Sequence, residues 1–191
     1  VSGDAGTYFK RGDGTLYVLL CDGMGSGPQA NRESSLALRL LEQFLQAGVE
    51  TEHALVTLNS ALALRGEEAG GFTTVDLFTG DGVVFKLGAA PTYVRKGGTV
   101  RRISGTSLPA GLEAEERSAP DRFPIHLSPG DCVVLVSDGV TGTEDDSWLR
   151  ERLVKFDQGS PKELARDLIT HSPQGATDDS TALVIRLEKR E

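Results

Sequence analysis

Two hydrophobic periodicities divide this chain. Val1 to Phe9 and Leu16 to Cys21 are strand-forming runs, and Arg11-Gly12-Asp13-Gly14 between them reads as a hairpin turn. From Pro28 the pattern lengthens to that of a helix, with Ala37, Leu40, Leu41, Phe44 and Leu45 on one stripe. Proline suits a first helical turn, where its missing N–H would be unpaired anyway. Thr51 is the expected cap of a second helix, with Ala54, Leu55, Leu58, Ala61 and Leu62 at helical spacing and Gly66 as its stop. Short β-rich runs follow over Gly71–Phe78, Gly82–Gly88, Thr92–Arg95, Thr99–Ile103, Phe123–Leu127 and Cys132–Val136. Connections as brief as Thr79-Gly80-Asp81 and Gly97-Gly98 join antiparallel strands, because parallel ones need crossovers of about a dozen residues. A polar loop after Ser137-Asp138-Gly139, a helix near Ser147–Phe156, a capping box at Ser160-Pro161-Lys162-Glu163 opening a helix to His171, and a strand over Thr181–Leu187 complete the pattern. The expectation is an α+β fold in which helices cover antiparallel sheets.

Composition narrows what such a fold does here. With 191 residues and no linker, residues 1–191 read as one domain, excised from a longer protein because Val1 already lies within a strand. The net charge is −8, and the densest basic groups, Arg95-Lys96 and Arg101-Arg102, merely flank a Gly-Gly turn. Without a basic stripe or stacking aromatics, nucleic acid is not an expected partner. No apolar run approaches the roughly 20 residues of a membrane span, and the N-terminus is not a signal peptide. Cys21 and Cys132 lie in apolar runs and read as buried, reduced thiols of a cytoplasmic protein.

The chemistry concentrates in aspartates at strand ends. Asp4 follows Ser2-Gly3, and Asp22 ends the second strand in Cys21-Asp22-Gly23-Met24-Gly25-Ser26-Gly27. Asp138 ends the Cys132–Val136 run, and Asp178-Asp179 precede the last strand. Taken singly, an Asp-Gly at a strand end is a turn. Gathered at one sheet edge, these carboxylates would need a cation, and hard oxygen donors suit magnesium or manganese. Two such ions about 4 Å apart could share Asp22 and a bridging hydroxide for in-line attack on phosphate. The glycine-rich turn also mimics a dinucleotide loop, but that needs a parallel βαβ unit. A haloacid-dehalogenase-type nucleophile would need Asp-x-Asp, and Gly23-Met24 follows Asp22 instead.

Val1-Ser2-Gly3-Asp4, Cys21-Asp22-Gly23-Met24-Gly25-Ser26-Gly27, Ser137-Asp138-Gly139 and Asp178-Asp179-Ser180-Thr181 occur in the order typical of PPM-type metal-dependent serine/threonine phosphatases. Leu58-Asn59-Ser60, Leu64-Arg65, Lys86-Leu87-Gly88 and Leu108-Pro109-Ala110-Gly111 further resemble the subgroup of the sporulation stage II protein E phosphatase domain. The resemblance covers essentially the whole chain. It implies a four-layer αββα sandwich of two antiparallel sheets flanked by helices, with two Mn2+ or Mg2+ ions. Asp22 would bridge both ions, Asp138 and Asp178 would complete one site, and Asp4 with the Gly23 carbonyl would serve the other; Asp179 would stand behind Asp178. The implied reaction is hydrolysis of phosphoserine or phosphothreonine on a phosphorylated anti-sigma-factor antagonist, by a metal-bridging hydroxide. The resemblance also implies that the helices over Pro28–Ala47 and Thr51–Arg65 regulate the metal site. It leaves room for a regulatory dimer through flanking regions and for membrane anchoring of the parent protein outside this segment.

This chain departs from the family pattern at two positions. Met24 stands where many relatives have a histidine suited to protonating the leaving group, and Gly3 replaces the glutamate of many eukaryotic-type members. No motif marks a phosphate-binding arginine, and neither Arg32 nor Arg65 is assigned that role. His53, His126 and His171 read as structural, Trp148 as the anchor of its helix, and Thr141–Asp146 as a segment that could add a ligand or touch substrate. The rival readings are a metal-free binding module with the same fold and a phosphatase for small phosphomonoesters.

Overall fold

A computed structural model describes residues 1–65, 71–112, 119–142, 145–173 and 177–189. The expected Gly66 stop lies outside the described residues. The chain divides into two compact units, residues 1–89 with 105–125, and residues 90–104 with 126–191.

The first unit is built on an antiparallel sheet in the order β1-β2-β3-β4-β7, formed by β1 Asp4–Lys10, β2 Leu16–Gly23, β3 Thr73–Thr79, β4 Val83–Leu87 and β7 Asp121–Pro124. Alternate residues of these strands, among them Leu19, Cys21, Val75, Leu77, Phe85 and Leu87, point to one face. That face is covered by helices α1 Gly27–Gln46 and α2 Thr51–Ala63, through Ala37, Leu41, Leu45, Ala54, Leu55, Leu58 and Leu62. Each fully buried leucine there contributes about 1.5–3 kcal/mol of transfer free energy, so the helices are held along their length.

The second unit carries a sheet in the order β6-β5-β8-β9, from β5 Thr92–Lys96, β6 Thr99–Ile103, β8 Cys132–Val136 and β9 Ala182–Arg186. Helices α3 Asp138–Thr141, α4 Ser147–Lys155 and α5 Pro161–Thr170 belong to it. Tyr93, Val134, Val136, Val140, Leu149, Leu153, Leu164 and Leu168 form its core, with Trp148 packed against it as an anchor. An α+β fold with two antiparallel sheets and flanking helices is therefore what this sequence adopts.

Four local expectations differ from the structure. Strand β1 begins at Asp4, so Val1 precedes the strand rather than lying within it. Glu50, not Thr51, caps α2: its carboxylate accepts from the Glu52 and His53 N–H groups at 3.1 and 3.0 Å. Those bonds, together with His53 and Arg122, outweigh the effect of burial and hold the Glu50 carboxyl below its usual range. Strand β7 begins at Asp121 rather than Phe123, because Asp121 pairs in register with Lys86 and the strand ends at Pro124. The polar stretch after Asp138 opens with the one-turn helix α3, too short to show a helical period in sequence.

Candidate metal and phosphate centre

In the first unit, strand register sets the geometry. Asp4 and Asp22 are direct partners across β1 and β2, and the Gly23 N–H donates to the Gly3 carbonyl at 3.2 Å. Asp4 is buried and Asp22 half-buried. Two threonines of β3 hold the Asp22 main chain. Thr73 Oγ1 donates to the Asp22 carbonyl at 2.9 Å, and Thr74 Oγ1 accepts from the Asp22 N–H at 3.2 Å. At the start of β1, Ser2 Oγ accepts from the Asp4 N–H, and Asn31 of α1 donates to the Ser2 carbonyl at 2.8 Å. Gly23 lies so close to α1 that a Cβ there would stand 2.1 Å from the Ala30 carbonyl oxygen. Met24, 55% exposed, continues the loop and donates its N–H to the Phe72 carbonyl at 3.1 Å. Next to Asp22, burial and the negative charges of Asp76 and Asp22 push the Cys21 thiol up to about 12, so it remains a neutral packing group.

In the second unit, Asp138 is exposed on the first turn of α3, and Gly139 behind it is buried. A Cβ at Gly139 would stand 1.9 Å from the Asp179 carbonyl oxygen. Hydroxyls join the two acidic segments: Ser180 Oγ donates to the Gly139 carbonyl at 3.1 Å, and Ser137 Oγ accepts from the Thr181 N–H at 2.9 Å. Ser172 Oγ donates to the Gly139 carbonyl at 2.7 Å. The Asp178 carboxylate accepts from the Asp179 N–H at 2.9 Å. Asp138 and the Asp178-Asp179 pair are thus neighbours, as Asp4 and Asp22 are.

Nothing in the sequence pattern singled out Thr73, Thr74, Ser137 and Ser172 as supports; a threonine pair opposite an Asp-Gly strand end is the one signal that register would have supplied. Asp146 is not placed as a ligand. It is buried, accepts from the Tyr93 hydroxyl at 2.6 Å and pairs with Arg102 Nε at 3.1 Å. Thr143 and Glu144 lie outside the described residues. His53 and His171 pair with Glu50 and Asp167 on their own helices, and the Arg11–Asp13 ion pair closes the β1–β2 hairpin.

Among the described residues no three His, Cys, Asp or Glu side chains converge as a ready metal site. Each unit instead offers carboxylates at strand ends, backed by a glycine in main-chain contact with a second segment. This all-oxygen donor set, carboxylates plus a main-chain carbonyl, fits a hard divalent cation.

Comparison with known proteins bears on what such a donor set serves. The family model described as stage II sporulation protein E matches residues 12–188. A stage II sporulation protein E of Priestia megaterium is 31% identical over 202 residues, covering 98% of this chain and 34% of that protein. The protein of the same description from Bacillus subtilis (strain 168) is 28% identical over 204 residues, covering 98% and 24%. The chain thus spans about a third and a quarter of these relatives. A solved structure of the PP2C phosphatase domain and a fragment of the regulatory domain of SpoIIE from Bacillus subtilis matches with a TM-score of 0.85 at 26% identity, covering all of this chain and 60% of that one. In sequence and in fold, this chain belongs to the stage II sporulation protein E family.

Proposed function

We propose that this chain is a metal-dependent protein phosphatase that hydrolyses phosphoserine or phosphothreonine monoesters, acting in the cytoplasm on a phosphorylated anti-sigma-factor antagonist. The observation that carries the reading is the paired register of Asp4 and Asp22, with Gly23 in main-chain contact with α1, in a chain of this family. Asp22, Asp4 and the Gly23 carbonyl on one unit, and Asp138 and Asp178 on the other, are the proposed ligands of two Mn2+ or Mg2+ ions. When bound, such ions lower the pKa of water and neutralise charge that develops on the phosphoryl oxygens.

The chain's own residues supply position. Thr73 and Thr74 fix the Asp22 main chain from both sides, so the carboxylate leaves β2 in one direction. Ser180 and Ser172 pin the Gly139 carbonyl, which orients Asp138 at the head of α3. Asp179 donates its N–H to the Asp178 carboxylate and holds that side chain in one rotamer. The Met24 thioether has no proton to give, and at 55% exposure it leaves the loop open to solvent, so water protonates the departing serine oxygen.

The test is phosphate release from a phosphoserine protein and from a small aryl phosphate, with manganese, with magnesium and with chelator. Turnover is expected only with metal. Asp22→Asn is expected to lose more than the roughly 10–100-fold typical of groups that merely support a ligand. Metal-independent turnover, or full activity in Asp22→Asn, refutes the proposal.

A further inference from the structure

The outer face of α1 carries a basic groove that the proposed chemistry does not use. Gln29, Arg32, Glu33, Leu36, Arg39 and Arg65 line a cavity of about 470 Å3, within the roughly 300–1,000 Å3 of ligand sites. Its best-fixed element is Arg65, whose Nη1 and Nη2 donate to Glu33 Oε2 and Oε1 at 2.8 and 3.1 Å. The Glu33 side chain is only 6% exposed whereas that of Arg65 is 36% exposed, so the carboxylate is the buried anchor and the guanidinium faces the groove. Arg32 is exposed, with its head directed by a 3.3 Å bond from Nε to the Pro28 carbonyl; Arg39 lies two helical turns further along α1, also exposed. Among the described residues that line the groove, three guanidinium groups face one carboxylate, a balance of +2 in a chain whose net charge is −8.

Gly71 lies between the Glu33 end of the groove and the Asp22 loop. A Cβ at Gly71 would stand 3.7 Å from Glu33 Cγ and 4.0 Å from Met24 Cβ, so one residue bridges the Glu33 end of the groove and the residue that follows Gly23. Guanidinium groups recognise carboxylate and phosphate through paired N–H donors, and Leu36 adds an apolar floor for the aliphatic part of a bound side chain. We propose that this groove docks an acidic stretch of the phosphoprotein substrate, beside its phosphorylated residue, and so selects substrates by flanking charge. The proposal rests on the phosphatase reading above, and its occupant is a peptide chain rich in Asp or Glu.

Two arms of one experiment separate the two ideas. In the first, anisotropy measures binding of labelled, unphosphorylated serine peptides, flanked by four glutamates or four glutamines, to the full chain in chelator. The acidic peptide is expected to bind more tightly, and Arg32→Gln/Arg39→Gln to weaken it roughly two- to thirtyfold, the range for two exposed ion pairs. In the second arm, the same variant is expected to raise KM for the acidic phosphoserine peptide by that factor. Its kcat, and its turnover of a small aryl phosphate, should stay as in the parent chain. Equal binding of both peptides, an unchanged affinity in the variant, or an equal loss on the aryl phosphate overturns the groove. Displacement of the acidic peptide by equimolar inorganic phosphate overturns it too, because the site would then be one for a single anion. Charge-dependent binding with no metal-dependent hydrolysis of any phosphopeptide upholds an acidic-chain groove and overturns the phosphatase reading alone.

Discussion

Replacing Gly23 by alanine tests whether the Asp22 loop is held by direct main-chain contact with α1. An added Cβ would stand 2.1, 2.7 and 2.9 Å from the carbonyl oxygen, carbonyl carbon and Cα of Ala30. Ordinary contact starts near 3.4 Å, so the two segments must separate by 3.4 − 2.1 = 1.3 Å along that line. No side-chain rotation relieves the clash, because the obstructing atoms are main chain within a 20-residue helix. Nor can α1 slide freely, since Ala37, Leu41 and Leu45 are completely buried against the sheet. Either the end of β2 moves and takes Asp22 with it, or α1 tilts and opens its apolar cluster. Overpacking costs about 1–3 kcal/mol, and a main-chain obstruction belongs at the upper end, near 3 kcal/mol. For a chain of this length that is a fall in Tm of about 6–12 °C. Urea unfolding followed by circular dichroism measures the loss, and calorimetry with manganese measures displacement of the proposed ligand Asp22. Gly12→Ala and Gly98→Ala, where an added Cβ meets nothing within 4 Å, serve as controls and should stay within about 0.5 kcal/mol of the parent. If Gly23→Ala is as stable as these controls, the close contact does not hold the loop.

Lys86 and Asp76 form a 3.0 Å ion pair with essentially no exposure, and burial pulls the Lys86 pKa down against the pull of Asp76. Lys86→Met should cost about 3–5 kcal/mol in urea unfolding because it strands a buried carboxylate, and Asp76→Val added to it should recover most of that loss; equal losses would contradict this. Thr73→Val/Thr74→Val keeps the shape of both side chains and removes both grips on the Asp22 main chain, so calorimetric manganese affinity should fall about 10–100-fold while the double serine variant stays near the parent. Asp121 is pushed up by burial but held down more strongly by N–H groups of Ser107 and Thr106 at 2.8 Å, and its pKa lies below the usual carboxylate range. Its contribution is therefore present above about pH 3.9 and lost as pH falls through the lowered folded-state value. The stability gap between the parent and Asp121→Asn, from urea midpoints at pH 6 to 3, should narrow toward the acid end, and a constant gap would contradict the assignment.

Much of this architecture was legible because burial leaves a periodic trace. The α1 stripe of Ala37, Leu41 and Leu45 and the apolar runs of β2 and β8 are visible in the sequence because each faces a core. The Asp-Gly strand ends were visible for a different reason: each places a small residue where a second segment approaches within contact. What pattern could not supply was partnership across the fold. Glu50 caps α2 because any carboxylate in extended backbone before a helix can accept its first N–H groups, although Thr51 is the commoner cap residue. Thr73 and Thr74 become supports of Asp22 only through the β2–β3 register, which 50 intervening residues conceal. The Glu33–Arg65 pair, likewise, joins residues 32 positions apart, so the partner that fixes Arg65 could not be read from sequence.

The two acidic turns share a mechanical logic. Each carboxylate sits beside a glycine whose absent side chain lets another segment's carbonyl approach to near contact: Ala30 at Gly23, Asp179 at Gly139. Position is then set by main-chain packing, which depends little on the identity of the surrounding side chains. Polar neighbours such as Thr73, Thr74, Ser172 and Ser180 add direction to segments already fixed in place. Such a design tolerates wide sequence change provided the glycines, the aspartates and the apolar periods persist. That is consistent with a TM-score of 0.85 at only 26% identity to the phosphatase domain structure from Bacillus subtilis. It also locates sensitivity: a single added methyl at Gly23 or Gly139 should disturb the geometry of the proposed ligands more than loss of any one supporting hydroxyl.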